Sequence, residues 1–185
     1  MSFNETSTAI VEELSQVIGR ISSREVVDLR KAIVSAQRVV VIGVGREGLA
    51  ARAFTMRLGH LGINAHWVWD DTTPPVGEGD LMVAVSGSGA IGHVDYVTGR
   101  AQTAGARLAV VTADPQGVTA RKADLVLAVP AAAFLSSSDM VPSIQPMGSL
   151  FEQSVWLTFD CIILELEQCL GLSHADLVAR HRNVE

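Results

Sequence analysis

The stretch from Asp80 to Gly89, DLMVAVSGSG, constrains the fold of this chain more than any other. Leu81 to Val85 is apolar at every position, the pattern of a parallel strand buried on both faces rather than a strand with one wet face. It runs into Ser86-Gly87-Ser88-Gly89 and then into residues at helical spacing, Ile91, Val94, Val97 and Ala101. A strand entering a Gly-rich turn that opens a helix gathers backbone N–H groups and the positive helix end at one point. That is an anion site, and phosphate is its commonest guest. Two serines add hydroxyl donors without blocking close approach. The plainer reading is a strand-to-helix turn that uses Gly for its dihedrals and Ser for capping.

The rest of the chain alternates around this unit. Residues from about Thr6 to Ser35 read as helix, bent near Gly19, with one apolar stripe at Ile10, Leu14, Val17, Ile18 and Ile21 and a second at Val26, Leu29, Ile33 and Val34. Such an N-terminal arm, residues 1–36, is suited to lie across a partner subunit. Arg38 to Ile42 is a buried strand, followed by a Gly-rich turn and a helix to about Leu61. Asn64 to Trp69 is a second strand, and the polar loop DDTTPPVGEG leads into the central one. Arg107 to Thr112 and Asp124 to Val129 read as strands, with a short helix at Gly117 to Lys122 between them. Pro130 to Pro146 reads as a long irregular loop, of the kind that is usually functional or mobile. Met147 to Leu170 is a long apolar helix, and a short polar one follows at Ala175 to Arg182. Alternating β and α predicts an α/β fold: a doubly wound parallel sheet with its βα core at 37–130, closed by C-terminal helices at 147–185.

Composition narrows the classes of function. A chain of 185 residues with 48% hydrophobic and 18% charged residues predicts one compact domain with much buried surface, a subunit interface included. A net charge of −6 leaves no basic stripe for nucleic acid. No apolar run approaches the ~20 residues that span a bilayer, and MSFNETSTAIVEEL has no signal-peptide pattern. Cys161 and Cys169 share one predicted helix and lie about 12 Å apart along its axis, too far for a disulfide. No His, Cys or carboxylate spacing predicts a metal site. The expectation is a cytoplasmic protein.

The first Gly-rich turn, Gly43-Val44-Gly45-Arg46-Glu47-Gly48, matches G-x-G-x-x-G between a strand and a helix, and Asp70 lies near the end of the next strand. Those are the conditions of a dinucleotide site. Against it stand the absence of a second domain for a redox substrate and the second, Ser-rich turn after the third strand. Arg46 also sits where the backbone would approach such a ligand.

The runs VVVIGVGREGLAARAFTMRLGHLG, DDTTPPVGEGDLMVAVSGSG, QPMGSLFEQ and the closing RHRNVE resemble the 6-phospho-3-hexuloisomerases of the sugar isomerase (SIS) fold. The resemblance implies a three-layer αβα sandwich around a five-stranded parallel sheet, a homo-oligomer, commonly a tetramer, and sites built between subunits. It implies interconversion of arabino-3-hexulose 6-phosphate and fructose 6-phosphate without metal or organic cofactor. Carried onto this chain, it makes Glu152 the base that moves a proton between adjacent carbons. His181 would then assist proton movement between oxygens or ring opening, Arg46 would face the phosphate or an enediolate oxygen, and Ser86 and Ser88 would hold the phosphate with Gly45, Gly87 and Gly89. Read without it, Glu152 complements a helix N-terminus, His181 is a solvated tail residue and His60 is structural.

Two departures stand out. Where the family has Gly-Arg-Ser, this chain has Gly45-Arg46-Glu47, and where it continues Ser-Gly-Ser-Gly-Glu-Thr, this chain has Ala90 and Ile91. Glu47 must therefore turn away, pair with Arg46 or Arg52, or exclude the usual ligand; as a plain residue it would be a helix N-terminal acid. Three readings remain open at this point: a sugar-phosphate isomerase, a non-catalytic sugar-phosphate-binding protein of the same fold, and a small dinucleotide-binding domain.

Overall fold

The computed structural model describes residues 1–133 and 139–184, so residues 134–138 of the expected loop lie outside the described part. The N-terminal arm is two helices, α1 (Phe3–Ile18) and α2 (Ser23–Ser35). Serines set both starts: the Ser2 side chain accepts from the Glu5 amide within a capping box, and that of Ser22 accepts from the Glu25 amide. The bend expected near Gly19 is this break. The arm is held by its own chain. Val17 is buried in the core, and Glu13 accepts from Ser143 Oγ and the Ile144 amide at 2.6 and 2.7 Å.

The strands are β1 (Arg38–Ile42), β2 (Ala65–Trp67), β3 (Asp80–Val85), β4 (Arg107–Thr112) and β5 (Leu125–Ala128). They form one five-stranded parallel sheet in the order β2-β1-β3-β4-β5. The apolar runs do not alternate because both faces of the sheet are covered. Val39, Val41, Leu81 and Val83 point to a layer that includes Phe54 and Phe159, whose rings stack at 4.0 Å. Val40, Ile42, Met82 and Ala84 point to the opposite layer with Val94, Ala101 and Leu108. Helices α3 (Gly45–His60) and α5 (Ser149–Cys169) lie with α1 and α2 over the first face, and α4 (Gly92–Thr103) with the 3₁₀ turn Ala120–Lys122 over the second. The result is a three-layer αβα sandwich, closed by the short α6 (His174–Ala179).

Several elements are shorter than their sequence pattern, β5 and α6 among them. Strand β2 stops at Trp67; it is an edge strand with a single partner, and Trp69 beyond it is 45% exposed with its ring against that of His93. The helix expected from Met147 begins at Ser149, because Met147 adopts a left-handed φ of 56°. The turn at Gly117 to Lys122 is helical only over its last three residues.

Strand order reverses between β1 and β3, so the chain leaves their carboxyl ends towards opposite faces of the sheet. Ligands of open α/β sheets bind in the crevice such a reversal opens. Both Gly-rich turns lie there. A Cβ added at Gly48 would sit 2.9 Å from both C and O of Gly43, so the start of α3 presses directly on the end of β1. Gly48→Ala is expected to lower stability by about 1–3 kcal/mol, the cost of overpacking a rigid contact, read as a reduced urea midpoint at unchanged slope.

Candidate active site

A cavity of ≈ 490 Å³ opens at this crevice. Its walls are the first turn of α3, the turn after β3, and the segment that leads into α5. Gly45, Arg46, Gly87, Ser88 and Glu152 all line it. Gly45 holds a left-handed φ of 59°, which lets the chain turn sharply into α3. Glu152 lies in the first turn of α5, and its amide donates to the carbonyl of Gly148 at 3.0 Å. The left-handed Met147 sets the direction from which that helix starts.

Arg46 ties the two helices together across the cavity. Its Nη1 donates to Ser149 Oγ at 2.9 Å and forms an ion pair with Glu152 Oε2 at 2.9 Å. The guanidinium is 61% exposed and the Glu152 side chain only 20% exposed. The more buried carboxylate is thus placed by a cation that solvent and ligands can reach. Ser149 was not singled out from the sequence; a serine at the first position of a helix reads as ordinary capping chemistry until Arg46 is seen beside it.

The turn after β3 is bound to its surroundings rather than open on all sides. The Ser86 amide donates to Val111 O at 3.0 Å, and Gly87 O accepts from the Ala113 amide at 3.0 Å. Gly89 presses on Gly117, where an added Cβ would lie 2.7 Å from the Gly89 backbone. Ser86 is fully buried, its Oγ has no hydrogen-bond partner among the described residues, and neither it nor Gly89 reaches the cavity wall. Ser88 does, with its Oγ accepting from the Ala90 amide at 3.3 Å.

One amide of this turn already holds an anion-type group. Gly87 N–H donates to Glu47 Oε2 at 2.8 Å, so Glu47 does not turn away from the turn but occupies one of its donors, the placement that the third alternative, exclusion of the usual ligand, requires. Phe151 and Ala133 close over the same spot, at 3.2 and 3.3 Å from where a Gly87 side chain would begin. The other oxygen, Oε1, is buried and has no hydrogen-bond partner among the described residues. Burial therefore pushes the Glu47 carboxyl up to about 7, the Gly87 hydrogen bond offsetting part of this and the charge of Glu152 adding to it.

His181 lies elsewhere. It lines a separate groove of ≈ 710 Å³ between α3, α5 and α6, its ring centroid 5.2 Å from that of His60. Within one chain it is not brought to the cavity that holds Glu152. Asp70, the acid of the dinucleotide reading, is exposed in the turn after β2. Among the described residues no cluster of three or more His, Cys, Asp or Glu side chains is arranged to hold a metal ion.

With this geometry in place, comparison with known proteins is informative. The SIS domain family model matches residues 32–156, and the chain belongs to that family. The 3-hexulose-6-phosphate isomerase of Bacillus subtilis is 36% identical over 185 residues, covering 100% of both chains. That of Mycobacterium gastri is 35% identical over 174 residues, 94% of this chain and 87% of its own. The crystal structure of a Methanococcus jannaschii protein, inferred to have the molecular function of a 3-hexulose-6-phosphate isomerase, superposes with a TM-score of 0.86 at 25% identity, covering 98% of this chain and 99% of that one. The dinucleotide reading of GVGREG gives way to this family. In this chain the first and last glycines of the motif serve the contact between β1 and α3.

The position of Glu47 has a direct thermodynamic consequence. Its folded value of about 7 lies above that of an unfolded carboxyl, so between roughly pH 4.5 and 7 the folded state holds more protons. Stability must then fall as pH rises through that window, by up to about 3 kcal/mol. Urea unfolding at about pH 5 and about pH 8 should show this loss in the wild type and much less of it in Glu47→Gln.

Proposed function

We propose that this protein is a sugar-phosphate isomerase that interconverts arabino-3-hexulose 6-phosphate and fructose 6-phosphate. The observation that carries the reading is the placement of Glu152. Its carboxylate stands on one wall of the cavity, the turn after β3 on another, and Arg46 between them. Full-length similarity to the Bacillus isomerase supports the same substrate pair.

The reaction moves a carbonyl from C3 to C2. Glu152 takes the proton from C2, the electrons of that bond form the C2–C3 double bond of an enediolate, and the same carboxyl returns a proton to C3. One base serves both transfers when it is poised between the two carbons. The Arg46 guanidinium is the cation available to the enediolate oxygen. The proton that passes from O2 to O3 needs a group that can both accept and donate, and the imidazole of His181 has that chemistry. Since His181 lies in the other groove of its own chain, this role has it supplied by a neighbouring copy.

A homo-oligomer, dimer or tetramer, goes with this arrangement. Leu49, Trp156 and Leu157 expose 61, 45 and 41% of their surface around Arg46 and Glu152, an apolar rim that a second copy would cover. No described helix is long and apolar enough to cross a membrane, and a cytoplasmic location accompanies the reading. A second reading is a sugar-phosphate-binding protein without turnover and with altered ligand specificity, since the carboxylate of Glu47 on the Gly87 amide changes the turn that would hold the phosphate.

Incubation with fructose 6-phosphate in deuterated water separates the two. The isomerase washes deuterium into carbon-bound positions; saturable binding without exchange supports the second reading. Glu152→Gln should retain binding and lose exchange by a factor of about 10²–10⁴; exchange at the wild-type rate would remove Glu152 from the mechanism. Light scattering should give the mass of a dimer or larger, and a monomer would leave His181 without a route to the cavity. In an oligomer, mixing inactive Glu152→Gln and His181→Ala subunits should restore part of the activity if His181 crosses between copies.

A further inference from the structure

The turn after β3 and the cavity in front of it hold a carboxylate that the isomerase chemistry does not use. Glu47 is the second residue after Gly45 in the first turn of α3, and its Oε2 accepts the Gly87 N–H at 2.8 Å. An anionic ligand drawn to that turn meets an amide already engaged and a like charge beside it. We propose that Glu47 is a proton-linked competitor for the anion-binding turn, so that an anionic group binds in this cavity only as Glu47 takes up a proton from solvent. The inference rests on the reading of the turn as the seat of the substrate phosphate.

Three observations carry it. Geometry comes first: the carboxylate and an incoming anion want the same donor, and Phe151 and Ala133 leave little room beside Gly87 for both. The second is incomplete satisfaction. Among the described residues the buried Oε1 has no hydrogen-bond partner, so the ionised carboxylate has only one of its oxygens satisfied by them. The third is the charge around it. On α3 the neighbouring ionisable group lining the cavity is Arg46, and on α5 it is Glu152. The turn contributes Gly87 and Ser88, and the segment before α5 contributes Pro146, Met147 and Gly148, none of which titrates. With Glu47 ionised these lining side chains sum to one negative charge; with Glu47 protonated they sum to zero, Arg46 balancing Glu152. An approaching anion therefore favours the protonated form, and by linkage protonation favours the anion. The carboxyl titrates near neutrality, where such coupling operates in ordinary conditions.

Sulfate is the probe, because it stays a dianion across the range in which a phosphate ester itself titrates. Its affinity for the wild-type protein should be measured calorimetrically from about pH 6 to about pH 8.5, and should fall towards tenfold per pH unit above about pH 7. In buffers of different ionisation enthalpy, binding at about pH 7.5 should consume a substantial fraction of one proton. Glu47→Gln should bind sulfate with little dependence on pH and no proton uptake, while Glu152→Gln should keep the coupling. Sulfate bound by Glu47→Gln but not by the wild type would also support the proposal, as the limit of strong competition.

A wild-type affinity that is flat with pH would overturn it. So would coupling that survives in Glu47→Gln or vanishes in Glu152→Gln, or the absence of sulfate binding in every variant. These readouts need no turnover. Coupled sulfate binding in a protein that exchanges no deuterium would retain Glu47 as competitor and remove the isomerase; exchange with uncoupled sulfate binding would do the reverse.

Discussion

The contact of Gly43 with Gly48 decides where everything else in the cavity can stand. With an added Cβ meeting backbone at 2.9 Å, α3 has no side chain between itself and the end of β1. Its first turn is drawn against the sheet at the point where strand order reverses, and Arg46 and Glu47 come with it. From there one side chain reaches to α5 and the other to the turn after β3. A similar backbone contact, Gly89 on Gly117, fixes that second turn from behind. Two glycine contacts thus hold two walls of the cavity, and neither takes part in chemistry.

The architecture was legible because burial on both faces leaves an unambiguous trace. Runs such as Leu81 to Val85 have no polar position to spare, and the Gly-rich turns mark where each strand yields to a helix. Strand β2 was read too long because Val68 and Trp69 are apolar, yet an edge strand needs only one partner and ends where the chain turns away. The N-terminal arm reads as suited to lie across a partner subunit; Val17 and Glu13 anchor it to its own chain, while Phe3 and Val11 remain exposed.

The site was legible in type but not in arrangement. Arg46 and Glu152 stand apart in sequence by 103 or more residues' worth of chain at the Arg46–Ser149 contact, and nothing local predicts that pairing. Ser86 and Ser88 looked equivalent as letters. The chain leaves β3 at Val85, and the turn that follows buries one and leaves the other at the cavity wall. Glu47 was visible as a departure, and the three outcomes weighed for it follow from charge alone. Which one holds depends on a hydrogen bond across 40 positions of chain. His181 belongs to the closing run RHRNVE, which follows α6 and lies in the groove between α3, α5 and α6 of its own subunit.

Met147 stands in a backbone conformation that a side chain disfavours, immediately before the helix that carries Glu152. Such a conformation costs on the order of 1–3 kcal/mol and persists where its neighbours leave no alternative. Here the Ser149 amide closes a turn onto Pro146 O at 3.2 Å, and the Glu152 amide closes the next one onto Gly148 O. The hinge that could let the carboxylate wander is therefore locked during folding. In the proposed reaction Glu152 would then meet its substrate already aimed, with little reorganisation left between ground state and transition state.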